Sequence, residues 1–97
     1  MASYFGLGTF TEQGLRTAKD TVKRADAAKE LASKFGVQMN EIHWTLGAYD
    51  MVVECDARDD ASMAAFTMAI SSAGNVRFQS LRAFNRDEMT KLLQKLP

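Results

Sequence analysis

The chain of 97 residues has one cysteine, one proline, one histidine and one tryptophan. A single cysteine excludes a disulfide within the chain and is typical of a reducing compartment. One histidine and one cysteine cannot build a His/Cys metal site, and the carboxylates show no ligand spacing, so no metal is predicted. Sequence patterns for phosphate-binding loops and nucleophilic serines are also missing, and no cofactor is predicted.

Neither sign of charge is in excess, because 12 basic residues balance 12 acidic ones. Such a chain has no net field to attract nucleic acid or an anionic membrane. No apolar run approaches the roughly 20 residues of a transmembrane helix, and no signal peptide is visible. We therefore expect a cytoplasmic protein that binds neither nucleic acid nor membranes, with residues 1–97 forming a single domain.

The stretch from Ile42 to Cys55 predicts a β-hairpin around which the other elements can be placed. A two-residue loop at Gly47-Ala48 suits a type II′ turn. It would set apolar residues opposite one another on one face: Leu46 with Tyr49, Trp44 with Met51, and Ile42 with Val53. The other face would carry Glu41, His43, Thr45, Asp50, Val52 and Glu54. Like charges at Glu41 and Glu54 would then oppose each other, which favours splayed strand ends.

Alternating and helical patterns predict the remaining elements. Strands are expected at Ser3–Phe10 and Val76–Phe84, and helices at Thr11–Phe35 and from Asp59 or Asp60 to near Gly74. Asp20-Thr21 could cap a second helix, which leaves open a break in the first one. After Asn85, an apolar stripe predicts a short helix that packs on the domain or on a neighbouring subunit: Met89, Leu92, Leu93 and Leu96.

The order β-α-β-β-α-β-α predicts an α+β fold, a ferredoxin-like βαββαβ domain with an extra C-terminal helix. The first strand should lie beside the third, with the second and fourth at the edges and the helices on one face. We assign several apolar residues to the other, open face: Tyr4, Phe10, Val52, Phe78 and Phe84. A monomer would expose that surface to water, so a homodimer or higher homo-oligomer is predicted.

Four segments resemble those of a known family. They are Phe10-Thr11-Glu12-Gln13-Gly14, Thr45-Leu46-Gly47-Ala48-Tyr49-Asp50, and Gly74-Asn75-Val76-Arg77 with Leu81-Arg82-Ala83-Phe84. They are similar to the GYD domain family, over nearly the whole chain from Tyr4 to about Met89. The resemblance implies an assembly of the dimeric α/β-barrel type, in which two ferredoxin-like sheets pair through their open faces. The family has no established biochemical function, so the resemblance implies no catalytic residues, although some distant barrel relatives are cofactor-free oxygenases or haem-modifying enzymes.

A candidate site is predicted on the open face, where the missing side chains of Gly6 and Gly8 could leave a hollow. His43 is the candidate catalytic residue, since an imidazole can transfer protons near neutral pH. Arg82 could hold an anionic group, and the other expected ligand-binding residues are Tyr4, Gly6, Gly8, Thr45 and Asp50. Structural alternatives stay open: tight packing at the glycines, an interface hydrogen bond at His43, and fixing of the turn by Asp50.

Three functions fit these features. The leading hypothesis is a small-molecule binding or accessory module without strong catalysis. The alternatives are a cofactor-free enzyme of oxygenase or isomerase type that uses His43, and a purely structural oligomer. A solvent-open pocket lined by His43 and Arg82 would favour binding or catalysis, whereas tight filling of that space would favour the structural alternative.

Overall fold

The computed structural model describes residues 1–97 and has an α+β fold of four strands and four helices. The elements are β1 (Ala2–Phe10), α1 (Glu12–Arg16), α2 (Thr21–Lys34), β2 (Val37–Trp44), β3 (Met51–Ala57), α3 (Asp60–Ser72), β4 (Val76–Ala83) and α4 (Arg86–Leu93). A single 3₁₀ turn at Ala18–Asp20 separates α1 from α2, so the break that the sequence left open is present. None of the helices is both long and apolar enough to span a membrane.

The four strands form one antiparallel sheet in the order β2-β3-β1-β4. Helices α2 and α3 cover one face, and the side of the sheet opposite them is the open face. Directly opposed residues form rows across the sheet. The row His43–Val52–Leu7–Gln79 lies on the open face, and the next row, Ile42–Val53–Gly6–Ser80, lies under the helices.

The hydrophobic core lies between the sheet and the two helices. Phe66 of α3 is 2 % exposed and its ring lies 6.2 Å from that of Phe35, in a tilted arrangement favourable for aromatic pairs. Apolar side chains from every strand except β4 complete the cluster with α2 and α3: Tyr4, Ala32, Val37, Met39, Val53, Cys55, Ala57 and Met63. Phe78 of β4 packs against it. Tyr4 and Phe78 therefore face the core, and their assignment to the open face was wrong.

The hairpin has the predicted register, with Trp44 opposite Met51 and Ile42 opposite Val53. Glu41 faces Glu54 as predicted, but the strands do not splay there. The register shifts between Met39 and Glu41, as in a β-bulge, and pairing then continues to Val37 and Ala57. The predicted two-residue loop is wrong, because pairing stops before Leu46, whose side chain is fully exposed. The backbone N–H of Asp50 donates instead to Gly8 of β1 at 2.8 Å, which ties the loop to the sheet.

Candidate functional site

The predicted site residues are divided between the two faces of the sheet. Tyr4 and Gly6 are buried on the helix side, and Gly8 and Arg82 share that side by strand alternation. Ser80, opposite Gly6, lies 3.1 Å from the hydroxyl of Thr67 in α3, which fixes this orientation. His43 is exposed and lies opposite Val52 on the open face, as predicted. The expected gathering of His43 with the glycines, Tyr4 and Arg82 is therefore wrong.

The space over Gly8 is filled by neighbouring side chains. A Cβ atom at Gly8 would lie 2.7 Å from Met51 Cγ and 2.7 Å from Phe78 Cε1. At Gly6 the nearest atom, Phe78 Cδ1, would lie at 3.3 Å. The tight-packing alternative thus holds for Gly8, where the large side chains of β3 and β4 occupy the predicted hollow.

Tyr4 and Arg82 do come together, but at the end of the sheet where α3 begins. The Tyr4 hydroxyl donates to the carboxylate of Asp60. The pKa of Tyr4 is raised to about 12, mainly by burial and secondly by this hydrogen bond. The Arg82 guanidinium carbon lies 5.6 Å from the centre of the Tyr4 ring and 4.6 Å from that of Phe84. Arg82 also pairs with Glu88 at 3.3 Å, so the cluster ties β1 and β4 to α3 and α4.

Asp50 and Thr45 hold the hairpin loop. A carboxylate oxygen of Asp50 accepts from the backbone N–H of Phe10 at 2.8 Å, and the Thr45 hydroxyl donates to the Tyr49 carbonyl at 2.6 Å. The Tyr49 hydroxyl donates to Gln79 Oε1 at 3.0 Å, which brings its ring onto the open face rather than the packed face that the hairpin pattern predicts. These contacts correspond to the turn-fixing alternative for Asp50.

A cleft that the sequence did not reveal lies between α2, α3 and the sheet, with a volume of about 250 Å³. Its walls are mostly apolar and include Gly6, Ala28, Leu31, Val53, Ala69 and Ile70. An apolar cavity of about 150 Å³ already stays dry and admits benzene, so this cleft has room for a one- or two-ring molecule. The small alanine side chains of α2 and α3 were the one sequence feature that could have indicated a cleft. Their helical spacing, however, is equally typical of residues packed in a core.

Polar groups lie at one side of the cleft, at the start of α2 and before β4. They are Thr21, Arg24 and Asn75. Arg24 Nη1 donates to the carbonyl and the hydroxyl of Thr17, both at 2.9 Å, and Nη2 donates to the Gly14 carbonyl at 3.2 Å. The guanidinium is thus held in place by neutral oxygens, and no carboxylate neutralises its charge.

No His, Asp, Glu, Lys or Ser side chain lines the cleft. Its wall contains one thiol, Cys55, which is 1 % exposed, and burial raises its pKa to about 11. A thiol in that state is a poor nucleophile, since the thiolate is the reactive form. No group of three or more His, Cys, Asp or Glu side chains is arranged to hold a metal ion in residues 1–97.

A family model described as the GYD domain matches residues 4–93. The chain belongs to the GYD domain family. In this GYD domain, Gly47, Tyr49 and Asp50 lie in the loop that Asp50 ties to β1.

Two proteins of Thermus thermophilus are similar to this chain. One is named "Glutamine synthetase and cystathionine beta-lyase binding protein"; it is 31 % identical to this GYD domain over 84 residues, which span 86 % of this chain and 88 % of the relative. The other is the crystal structure of TTHA0845, which superposes with a TM-score of 0.57 at 23 % identity and covers 88 % of this chain and 95 % of that one. At that identity the structural similarity bears on the fold alone.

Proposed function

We propose that this GYD domain is an accessory module that binds a small apolar molecule with one negatively charged or carbonyl end. The observation that carries the proposal is the cleft of about 250 Å³ between α2, α3 and the sheet. Ligand sites are typically concave, mostly apolar and supplied with a few polar groups that orient the ligand. The cleft has this composition, with Arg24 and Asn75 at its polar side.

Binding is favoured over catalysis because the reactive side chains do not converge on the cleft. His43, the catalytic candidate of the enzyme alternative, lies on the open face opposite Val52. Cys55 is the thiol in the wall, and its raised pKa keeps it protonated near neutral pH. A molecule in the cleft would therefore meet apolar walls and a guanidinium, which can hold it but supply no proton acceptor.

The proposal is tested by calorimetric titration with indole and with indole-3-carboxylate, which share a ring system and differ in charge. Ala69→Leu should fill the cleft and abolish binding of both probes. The matched control is Ala65→Leu on the same helix, since Ala65 is exposed and lies outside the cleft. Arg24→Gln should weaken the carboxylate at least about tenfold, or about 1.4 kcal/mol, and leave indole unchanged. Unaltered binding of both probes to Ala69→Leu would refute the cleft as the site.

A second candidate function is protein binding, and the relative named as a binding protein for two enzymes favours it. An accessory role of this kind is compatible with a ligand in the cleft, because a bound metabolite could adjust the affinity for a partner. The test of protein binding is a pull-down of glutamine synthetase and cystathionine β-lyase from the organism that encodes this chain, with and without the bound probe. If neither enzyme is captured, with the probe or without it, this candidate function is wrong.

We also propose that the domain is ferredoxin-like and pairs with a second copy in the cytoplasm, in an assembly of the dimeric α/β-barrel type. The support is an apolar patch on the open face formed by Phe5, Leu7, Val52 and Leu81, which are direct or diagonal neighbours in the sheet. Phe5 is 37 % exposed and Leu81 is 41 % exposed. Pairing of two such patches would remove this surface from water.

A further inference from the structure

Helix α4 stands apart from the rest of the chain. None of its residues is buried, and no other helix or strand makes more than slight contact with it. Its first turn is fixed by a capping box between Asn85 and Glu88 and by the ion pair from Arg82 to Glu88. The radius of gyration is 14.5 Å, against about 12.5 Å for a compact domain of this length. A well-formed helix therefore extends from the domain without a partner in its own chain.

The helix nevertheless carries an apolar stripe. Met89, Leu93 and Leu96 are 42 %, 49 % and 63 % exposed, and Leu92 is half-buried. At 3.6 residues per turn these four side chains lie on one side of the helix, and hydrogen bonds from the N–H groups of residues 94–96 continue its last turn. Such a stripe is the usual surface for packing against another element.

The open face of the sheet offers a second copy only a modest contact area. Strands of 7 to 9 residues, at about 3.4 Å per residue and about 4.8 Å between strands, give four strands a footprint on the order of 500 Å². A stable interface buries about 800 Å² on each partner. Since α4 follows directly after the edge strand β4, it can extend the contact of the open face onto a second copy.

Charges on the two surfaces are complementary. Glu41 and Glu54 face each other on the open face, and neither has a cation partner, because the ion pairs of the chain are Arg16–Glu12 and Arg82–Glu88. Two opposed carboxylates destabilise an antiparallel pair unless a cation lies near them. Arg86 is the first residue of α4; it is exposed and also lacks an ion pair. Because each residue of a helix is rotated by about 100° from the previous one, Arg86 lies next to the apolar stripe on the helix surface.

We propose that α4 is an arm that packs its apolar stripe on the edge of the open face of a second copy, where Arg86 meets Glu41 and Glu54 of that copy. The inference rests on the homodimer proposed above and adds the element that completes it. Burial of the stripe supplies the affinity, and the charge contact orients the arm.

The test is a charge exchange between two copies, measured by sedimentation equilibrium and native mass spectrometry. Glu54→Lys and Arg86→Glu should each weaken the homodimer at least about tenfold, or about 1.4 kcal/mol. In an equimolar mixture the two variants should form a heterodimer of near wild-type affinity, because both contacts then pair opposite charges. Asp87→Lys, on the other side of α4, should change the dissociation constant little.

The apolar stripe is tested in parallel. Leu93→Glu should dissociate the dimer without lowering the melting temperature of the monomer, whereas Gln94→Glu on the polar side should leave the dimer intact. A wild-type dimer that is insensitive to Leu93→Glu, or charge variants that show no rescue on mixing, would overturn the role of α4 and leave the homodimer standing. A monomeric wild-type protein at all concentrations would overturn both.

Discussion

At the scale of single residues, two buried groups make stability depend on pH. Burial raises the pKa of the Cys55 thiol from 9.0 to about 11, and that of Tyr4 from 10.0 to about 12. The folded state therefore keeps these protons to higher pH than the unfolded chain does. By linkage, the free energy of unfolding is at its full value below about pH 9 and decreases as the pH rises above it.

Variants separate the two contributions. Cys55→Ala should flatten the loss of stability between about pH 9 and pH 11, and Tyr4→Phe should flatten it between about pH 10 and pH 12. Urea denaturation at half-unit pH intervals provides the free energies. An unfolding free energy of the wild type that stays constant or increases from pH 9 to pH 11 would contradict the burial of both groups.

Individual orientations were the weakest part of the sequence prediction. Strand alternation groups Tyr4 with Gly6 and Gly8, and Phe5 with Leu7, but both groups contain large apolar residues. Periodicity therefore could not decide which group faces the helices. The structure buries the group with the glycines because Phe78 and Met51 fill the space that the missing side chains leave, and this choice separates His43 from Tyr4 and Arg82.

At the scale of elements, the hairpin loop depends on Asp50. Its carboxylate accepts from the Phe10 N–H and its own N–H donates to Gly8, so one residue ties the loop to the end of β1. Asp50→Ala would leave the Phe10 donor without this partner and should lower the free energy of unfolding by about 1–3 kcal/mol. Urea denaturation tests it, with the exposed Asp87→Ala as control. Equal stability of the two variants would mean that water replaces the carboxylate at no cost.

The elements themselves were largely predictable. The hairpin register, the break before Thr21 and the short helix after Asn85 follow from local patterns whose physical basis lies within a few residues. The cleft was not predictable, because it depends on the separation of α2 and α3. That distance is set by packing between side chains distant in sequence, such as Phe66 and Phe35, and no local pattern encodes it.

At the scale of the whole molecule, the open face should control assembly. Leu7→Glu would bring a charge into the apolar patch, where burial without a partner is costly. It should therefore raise the dimer dissociation constant at least about tenfold, or about 1.4 kcal/mol. Lys29→Glu on the exposed side of α2 is the control. Light scattering over a dilution series reports the mass, and an unchanged mass for Leu7→Glu would place the interface elsewhere.

The central claim is that the cleft between α2, α3 and the sheet binds a small apolar molecule, and the six methionines report on it directly. Met39, Met51 and Met63 line the cleft, whereas Met1, Met68 and Met89 are exposed outside it. The decisive measurement is an NMR titration of methyl-labelled methionine with indole. We predict saturable shifts of the three cleft methyl signals and no shift of the other three. Shifts confined to Met1, Met68 or Met89, or no shift at any indole concentration up to its solubility limit, would contradict the account.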